Sequence, residues 1–464
     1  MKILKILLSL LLVASVVVAQ QVNALPGRMQ WWQNAKFGMF IHWGLYSQAA
    51  GEWNGKPSRG NEHFMLYERI PVKEYAKIAD DFNPVKFNAD LWVKRAKDAG
   101  MKYIVFTSKH HDGYAMYNSK SSDYNVVKTT KWGRDPLKEL AAACKKYGLK
   151  LGIYYSLGRD WEDPDVPTDW PTKGGRSNTW DFPDEDAKDF SKYFERKVKP
   201  QVTELLTNYG PVGVMWFDTP EGFITKSQSV ELENLIRKLQ PDCIINNRIG
   251  NGEGDYFVSE QKIPANAVLK PWEACITMSG KWSFNKYDHA WKSPELIIRQ
   301  LIEIVCKGGN LLLNVNPDGQ GEFPAKSIDN LEAIHQWMNS NKEAIYGVTP
   351  WKITNEGIQT EQGAKNNPNA IKDTDNDNTS KQISPDLYFS QKGDVVYLYA
   401  RSWKAGKIEA KSLSTKNINI KRVELLNRSN NKLSWKQDAN SLLIDVPKQL
   451  PGNLPIYVFK VISK

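Results

Sequence analysis

The stretch VGVMWFD, residues 212–218, decides the fold class. Five of its seven residues are bulky and apolar, and it follows the turn-forming pair Gly210-Pro211. A short apolar run without alternation is typical of a strand buried on both faces, as in a parallel sheet covered by helices. The run ends on a carboxylate, Asp218. It therefore predicts a parallel strand whose carboxyl end presents an acid.

Similar short runs occur before and after this stretch, separated by helix-like segments with Asp, Ser or Asn at the start and Gly at several ends. They read FGMFIHWG (37–44), YIVFTS (103–108), LGIYYS (151–156), CIINNR (243–248), KPWEACIT (270–277) and NLLLNV (310–315). Repeated strand–helix units of this length predict a (β/α)8-like TIM barrel over residues 25–350, with seven recognisable strands. A doubly wound open sheet is the alternative, but no strand is followed by a Gly-rich phosphate loop.

The character of the sequence changes after Trp351. Residues 354–383 are rich in Asn, Asp, Lys and Thr and predict a linker or a long exposed loop. From Leu387 onward, short alternating runs follow one another with no helical period between them. Residues 351–464 therefore predict a linker and a small C-terminal antiparallel β-sandwich.

The N-terminus predicts export. Lys2 and Lys5 precede a nearly continuous apolar run, and small residues follow, so residues 1–24 are expected to be a signal peptide cleaved after Ala24, or earlier after Ala19. The apolar run is too short for a membrane span. We therefore expect an exported chain, periplasmic or secreted, that does not span a membrane.

The charge distribution argues against a nucleic-acid partner, and the cysteine spacing argues against a zinc site. The net charge is +10, but the basic residues are dispersed rather than clustered, which argues against a nucleic-acid partner. The four cysteines are far apart and lack zinc-site spacing. Each lies within an apolar run, so buried thiols are expected.

Three acids are candidates for catalysis. The helical pattern after Asp218 begins near Ser227, too far away for Asp218 to cap it. Asp218 is therefore either a catalytic residue or a residue that anchors the loop. Glu260 ends the segment GDYFVSE, and Glu273 lies in PWEAC. Glycosidic hydrolysis needs two carboxyl groups, one ionised and one protonated. The spacing alone does not choose between the two glutamates.

Histidines, an arginine and aromatic residues are expected at the same end of the barrel. His42, His110 and His111 follow strands, and they suit either sugar hydroxyl groups or a metal ion, although no H-x-H or H-E-x-x-H spacing occurs. Arg248 could orient a carboxylate or close the barrel rim through an ion pair. The residues that could form an aromatic wall for a sugar are Trp53, Tyr155, Trp216 and Trp282.

At these residues the sequence resembles the α-L-fucosidases, glycoside hydrolase family 29. The resemblance runs from about Trp31 through Trp351. Its motifs occur in matching order: WWQNAKFGMFIHWGLYS, GEW, FTSKHHDGYAMYNS, LGIYYS, MWFDT, NNRIG, WEACITMSGKWSF and KGGNLLLNVNPDGQGEFP. Together these blocks are specific, whereas any one of them alone would be weak.

The resemblance implies a retaining exo-enzyme that removes terminal α-L-fucose from a fucosylated oligosaccharide or glycoconjugate, without a metal or cofactor. It implies that Asp218 is the nucleophile. The residues that it assigns to fucose binding are Phe40, His42, Glu52, Trp53, His110, His111, Tyr155, Trp216, Arg248 and Trp282.

The acid/base and the substrate stay open at this point. Glu260, twelve residues after Arg248, fits one family placement of the acid/base and is favoured, with Glu273 as its rival. The alternatives to a fucosidase are a non-catalytic fucose-binding barrel, a metal-dependent hydrolase that uses the three histidines, and an exo-glycosidase for a related sugar such as α-L-galactose.

Overall fold

A computed structural model describes residues 26–167, 180–219, 222–357, 386–401, 406–426, 433–446 and 455–464. The predicted signal peptide at residues 1–24 and most of the expected linker lie outside the described residues. The described chain consists of a barrel followed by two antiparallel sheets, and a two-stranded antiparallel pair, Glu52–Trp53 with Lys56–Pro57, lies between the first two barrel strands in the chain.

Eight parallel strands form the barrel. They are β1 (Phe37–Ile41), β2 (Tyr103–Lys109), β3 (Lys150–Ser156), β4 (Val212–Asp218), β5 (Ile244–Ile245), β6 (Phe257–Glu260), β7 (Trp272–Thr277) and β8 (Asn310–Val315). Their order in the sheet is β5-β4-β3-β2-β1-β8-β7-β6. The two outer strands are joined by a parallel bridge between Asn246 and Tyr256. The predicted (β/α)8-like barrel is therefore confirmed.

The strand missing from the sequence prediction is β6. Its four residues are only partly buried, and Phe257 is 46% exposed. The segment has no continuous apolar run because it lies on the less covered side of the barrel. The predicted count of seven strands was therefore wrong, and the missed strand is the one that ends on Glu260.

Helices cover the rest of the barrel. The α-helices are Gln30–Ala35, Leu45–Ala49, Phe64–Tyr67, Val72–Ala76, Ile78–Asp81, Ala89–Asp98, Val126–Thr129, Pro136–Tyr147, Phe190–Tyr193, Lys199–Asn208, Lys226–Leu239, Pro294–Cys306 and Ala325–Asn341. A π-helical turn spans Phe194–Val198, and short 3₁₀ turns span Gly27–Met29, Asn61–His63, Glu185–Ala187, Asn247–Ile249, Lys342–Ala344 and Lys411–Leu413. Within residues 222–357, all of which are described, no α-helix separates β5 from β6 or β6 from β7.

Alternation along each strand divides the apolar residues into two clusters. Side chains that point into the barrel include Phe40, Val105, Tyr154 and Trp216, and these pack together. Neighbours of opposite parity pack outward under the helices. Because successive strand residues point to opposite faces, the identity of each inward position follows from its register.

The C-terminal part forms two sheets around a separate apolar cluster. The larger sheet contains Thr349–Glu356, Leu387–Lys392, Val395–Ala400, Tyr457–Ser463 and Ile420–Leu425, in that order across the sheet, and the smaller contains Lys407–Ala410, Leu442–Asp445 and Trp435–Gln437. The first strand begins at Thr349, two residues before the predicted boundary, and includes Thr354–Glu356, where a linker was expected.

The larger sheet packs on the barrel. Trp337 in the last barrel helix donates an indole hydrogen bond to the carbonyl of Ile456 at 2.8 Å, and Tyr388 donates to Glu303 at 3.2 Å. All four cysteines are buried free thiols, as expected. Among the described residues, no helix combines the length and apolar character needed to cross a bilayer.

Candidate active site

A cavity of about 360 Å³ opens at the carboxyl ends of the barrel strands. Its lining combines acidic side chains with aromatic rings. The lining residues are Phe40, His42, Glu62, His63, His110, His111, Tyr154, Arg159, Trp216, Asp218, Thr219, Arg248, Glu260, Cys275 and Trp282. Apolar walls with a few convergent polar groups are typical of a small-molecule site.

Strand register explains why these side chains converge. On β4, Trp216 and Asp218 are two residues apart and therefore share the inward face. Tyr154 on β3 is in register with Trp216, and Ser156 is in register with Asp218. The helix after β4 begins at Lys226 and is capped by Thr225 in a capping box with Gln228. Asp218 therefore has no capping role.

The Asp218 carboxylate is held by three donors. Arg248 donates to Oδ1 at 2.5 Å, Tyr154 donates its hydroxyl to Oδ2 at 2.8 Å, and the backbone N–H of Thr219 donates to Oδ1 at 2.8 Å. Burial disfavours the charged form, but the positive charge of Arg248, the Tyr154 hydrogen bond and the charge of Arg159 outweigh it, so the pKa of Asp218 lies below its usual value. Asp218 is therefore an ionised carboxylate at the base of the cavity.

Arg248 holds a second acid beside the first. Its other terminal nitrogen donates to Glu260 Oε2 at 2.5 Å. Because a guanidinium is rigid and planar, its two terminal nitrogens hold Asp218 and Glu260 on adjacent positions. The Glu260 side chain is 41% exposed, whereas that of Asp218 is 15% exposed. One acid lies deep in the cavity and the other nearer solvent.

Glu273 lies in the barrel core, outside the cavity lining. It is on the same inward face of β7 as Cys275, but one layer deeper, because Cys275 is in register with Glu260 and Glu273 with Val258. Tyr103 donates its hydroxyl to Glu273 at 2.5 Å and Trp216 donates its indole N–H at 3.0 Å. Burial raises the pKa of Glu273 to about 7, and these donors offset part of that effect. Glu273 thus supports Trp216 from below.

Four histidines border the cavity. His42 Nδ1 is 2.7 Å from Asn314 Oδ1, and His111 Nδ1 is 2.6 Å from Ser156 Oγ. His111 Nε2 lies 3.6 Å from Asp218 Oδ2. Burial lowers the pKa of His42 to about 4, and it lowers the pKa values of His110 and His111 well below the ordinary value. These three rings are therefore neutral near pH 7 and can both donate and accept hydrogen bonds.

Aromatic rings form one wall of the cavity. The Phe40 centroid is 4.9 Å from that of Trp216 and 6.0 Å from that of Trp282, and Tyr154 stacks on Trp216 at 5.5 Å. The Arg248 guanidinium lies 5.1 Å from the Trp216 ring. Such a wall suits a ligand with an apolar C–H face and several hydroxyl groups.

Comparison with known proteins identifies the family of this chain. The family model described as alpha-L-fucosidase matches residues 18–343. The chain belongs to the α-L-fucosidase family. A putative alpha-L-fucosidase of Caenorhabditis elegans is 31% identical over 349 residues, which cover 70% of this chain and 68% of that protein. This family is glycoside hydrolase family 29, as the sequence motifs predicted.

Solved α-L-fucosidase structures share the fold. Isoenzyme 1 from Paenibacillus thiaminolyticus superposes with a TM-score of 0.79 at 34% identity, covering 94% of this chain and 99% of that chain. AlfC from Lactobacillus casei, in complex with its α-L-fucose product, superposes with a TM-score of 0.64 at 40% identity, covering 68% of this chain and all of that chain.

Three of the residues that the resemblance assigned to fucose lie outside the cavity lining. Tyr155 points outward from β3, where its hydroxyl donates to Gln201 at 2.9 Å. Glu52 accepts hydrogen bonds from Lys286 and Tyr287, and Trp53 packs on Phe64 with the ring centroids 5.8 Å apart. These placements correct the prediction. The other predicted binding residues do line the cavity: Phe40, His42, His110, His111, Trp216, Arg248 and Trp282.

Residues that the sequence prediction did not include also line this cavity of the fucosidase-family chain. Tyr154, which neighbours Tyr155, bonds Asp218 directly. Glu62 and His63 reach the cavity from the helical segment between β1 and β2, and Arg159 reaches it from the loop after β3. The register between β3 and β4, which the sequence does not contain, shows that Tyr154 rather than Tyr155 faces the cavity. Glu62, His63 and Arg159 lie off the strands, where no periodic pattern marks them.

Proposed function

We propose that this chain hydrolyses terminal α-L-fucosides with retention of configuration, using Asp218 as nucleophile and Glu260 as acid/base. The observation that carries the proposal is the shared guanidinium: Arg248 bonds both carboxylates at 2.5 Å at the wall of one sugar-sized cavity. A retaining mechanism needs two carboxyl groups about 5–5.5 Å apart, and inversion needs about 6.5–9.5 Å. Two acids on one guanidinium favour the closer arrangement.

The role of Asp218 is supported by its ionisation. A nucleophile must be a carboxylate at working pH, and the lowered pKa of Asp218 keeps it ionised. The Asp218 side chain is only 15% exposed, so its charge is held by Arg248 and Tyr154 more than by solvent.

The role of Glu260 is supported by its access. A proton donor must reach the leaving oxygen and later a water molecule, and Glu260 lines the cavity with a side chain 41% exposed. Glu273 has a raised pKa, which suits an acid, but it has no exposed surface and its two oxygens accept from Tyr103 and Trp216. Geometry therefore favours Glu260, and we propose that Glu273 positions Trp216.

The reaction follows from these roles. Asp218 attacks the anomeric carbon while Glu260 protonates the leaving oxygen, and a glycosyl ester forms on Asp218. Glu260 then accepts a proton from water, which attacks the anomeric carbon and releases fucose with its original configuration. Neutral His42, His110 and His111 bind the hydroxyl groups of the sugar, and Phe40 and Trp282 contact its methyl group.

The proposal extends to substrate and location. A cavity of about 360 Å³ fits one sugar ring better than a chain, which supports removal of a terminal fucose from a fucosylated oligosaccharide or glycoconjugate. The apolar run and small residues at 1–24 support export to the periplasm or the medium. N-terminal sequencing of the mature protein tests export, and an intact Met1 on the purified native protein would contradict it.

The assignment of the two acids is tested by azide rescue. Asp218→Ala and Glu260→Ala are each assayed on 4-nitrophenyl α-L-fucoside with and without azide. Asp218→Ala should lose turnover by several orders of magnitude and form the β-fucosyl azide, because azide attacks the substrate directly. Glu260→Ala should lose roughly 10²–10⁴-fold in turnover and form the α-azide, because azide attacks the ester on Asp218.

Glu273→Gln is the matched control. It removes an acid of the same type from the core, and it should keep turnover within about tenfold of wild type and give no azide product. If Glu273→Gln matched the kinetic defect of Glu260→Ala and gave the α-azide, the roles of the two glutamates would be reversed. Hydrolysis by none of the proteins, wild type included, would refute the fucosidase proposal.

A further inference from the structure

Three histidines from two different parts of the chain meet in the cavity. His63, from the segment between β1 and β2, joins His110 and His111, which follow β2. One ring nitrogen of each lies within 4.8 Å of those of the other two. Their ring centroids are 4.2 Å apart for His110 and His111, 5.1 Å for His63 and His111, and 5.8 Å for His63 and His110.

We propose that His63, His110 and His111 form a reversible binding site for a divalent transition-metal ion such as Zn²⁺, and that the bound ion competes with the sugar. The site is inhibitory, because it uses side chains that line the substrate cavity. The inhibition rests on the fucosidase activity proposed above, whereas binding of the ion does not.

The donor atoms suit this class of metal. Imidazole nitrogens select Zn²⁺, Cu²⁺ or Ni²⁺ over Mg²⁺ and Ca²⁺, which prefer oxygen ligands. Three protein nitrogens and one open position are also a usual catalytic zinc arrangement. Tetrahedral Zn–N bonds of about 2.0–2.1 Å place two nitrogens roughly 3.3 Å apart, so the three nitrogens must approach one another by at most roughly 1.5 Å from separations within 4.8 Å. Small side-chain rotations supply such a movement.

Two of the rings are already prepared to bind. Ser156 Oγ, 2.6 Å from His111 Nδ1, itself donates to the carbonyl of Arg159 at 2.7 Å, so it fixes the orientation of the His111 ring and leaves Nε2 for the ion. His110 is 4% exposed, and its Nδ1 has no hydrogen-bond partner among the described residues. A buried unpaired nitrogen beside two other imidazoles indicates a place for a polar ligand.

Charges near the three rings partly balance. The Asp218 carboxylate lies 3.6 Å from His111 Nε2, and Glu62 lies 4.0 Å from His63 Nε2; both attract a cation. Arg159 also lines the cavity, and its positive charge repels a cation. His42 is outside the cluster, with Nδ1 bonded to Asn314. An ion held by the three rings lies beside the nucleophile, so the sugar and the ion exclude each other.

Calorimetric titration with ZnCl₂ tests binding directly, in the full-length folded protein. We expect one Zn²⁺ per chain, a Kd that rises when L-fucose is added, and inhibition of 4-nitrophenyl α-L-fucoside hydrolysis that raises the apparent KM and leaves kcat unchanged. His63→Gln should weaken binding by more than the roughly 10–100-fold expected for loss of an outer-shell partner. His289→Gln, which alters an exposed histidine outside the cavity, should bind Zn²⁺ as wild type does.

Cobalt replaces zinc in a test that needs no variant. Co²⁺ titrated into wild type should give the intense visible absorption of a four-coordinate site, and excess L-fucose should abolish it. The proposal is overturned if wild type binds no stoichiometric Zn²⁺, if a folded His63→Gln binds it as wild type does, or if Zn²⁺ lowers kcat without raising KM. An enzyme inactive on fucosides that still binds one Zn²⁺ would refute the proposed function and leave the metal site standing.

Discussion

The adjacent tyrosines on β3 allow a paired test of the site. Tyr154→Phe removes one hydroxyl that donates to Asp218 Oδ2 at 2.8 Å, and it keeps the ring that stacks on Trp216. A hydrogen bond to a charged group contributes about 1.5–3 kcal/mol. If it is formed to the reacting carboxylate, its loss should lower kcat/KM by roughly 10–150-fold.

The same change should move the pH profile. Burial favours the neutral acid, and the Tyr154 donor is one of the groups that keep the pKa of Asp218 low despite it. Without that donor the pKa of Asp218 rises, so as the pH falls the carboxylate becomes protonated, and the nucleophile inactive, at a higher pH than in wild type. The acid limb of kcat/KM should therefore shift to higher pH.

Tyr155→Phe is the matched control, since it removes a hydroxyl that donates to Gln201 outside the barrel. It should keep the activity and the acid limb of wild type, with a loss of about 1 kcal/mol in the free energy of unfolding. The assay is hydrolysis of 4-nitrophenyl α-L-fucoside from pH 4 to 9, with urea unfolding of both variants. An activity loss in Tyr155→Phe larger than that in Tyr154→Phe would refute the reasoning.

Three further predictions concern the surroundings of the site. Burial raises the pKa of Glu273 from 4.5 to about 7, so the stability that its protonated form contributes is present below pH 4.5 and lost as the pH rises through 7. In urea unfolding, wild type should therefore lose about 3 kcal/mol of unfolding free energy across that pH window relative to Glu273→Gln. An equal pH dependence of the unfolding free energy in the two proteins would contradict this. Lys109→Met removes one of two buried lysines that pair with Asp160; because Lys197 stays 2.9 Å from that carboxylate, the loss should be limited to about 1.5–3 kcal/mol of unfolding free energy, and an unchanged midpoint would show that the Lys109 pair is dispensable. Asn314→Ala removes the partner of His42 and should raise KM more than it lowers kcat, and a fall in kcat at constant KM would count against a binding role for His42.

The fold was predictable wherever burial left a continuous pattern. The runs around β1, β2, β3, β4, β7 and β8 are buried along almost their whole length, so their apolar character marks them in the sequence. β5 was also predicted, although only its two buried residues form the strand, whereas β6 is partly exposed and was missed, since no α-helix flanks it in the chain. Closure of the barrel depends on one bridge from Asn246 to Tyr256, which no local pattern reveals.

Placement at the cavity was predictable where a residue ends or directly follows a buried strand, as at Asp218 and His42. The prediction that Tyr155 faces the cavity differs from the structure because the family motif contains two adjacent tyrosines, and only the strand register decides which of them faces inward. The choice between Glu260 and Glu273 needed the depth of each residue along the barrel axis. Depth is a property of the register between β6 and β7, and sequence spacing does not contain it.

The proposed retaining mechanism depends on a covalent ester between Asp218 and fucose. The most direct measurement is mass spectrometry of the protein after brief reaction with a 2-deoxy-2-fluoro-α-L-fucosyl donor that carries a good leaving group, followed by peptic digestion. We predict one added 2-fluorofucosyl group on the peptide that contains Asp218, and no label on Glu260 or Glu273. A label on either glutamate, or an active enzyme that accumulates no label, would contradict the account.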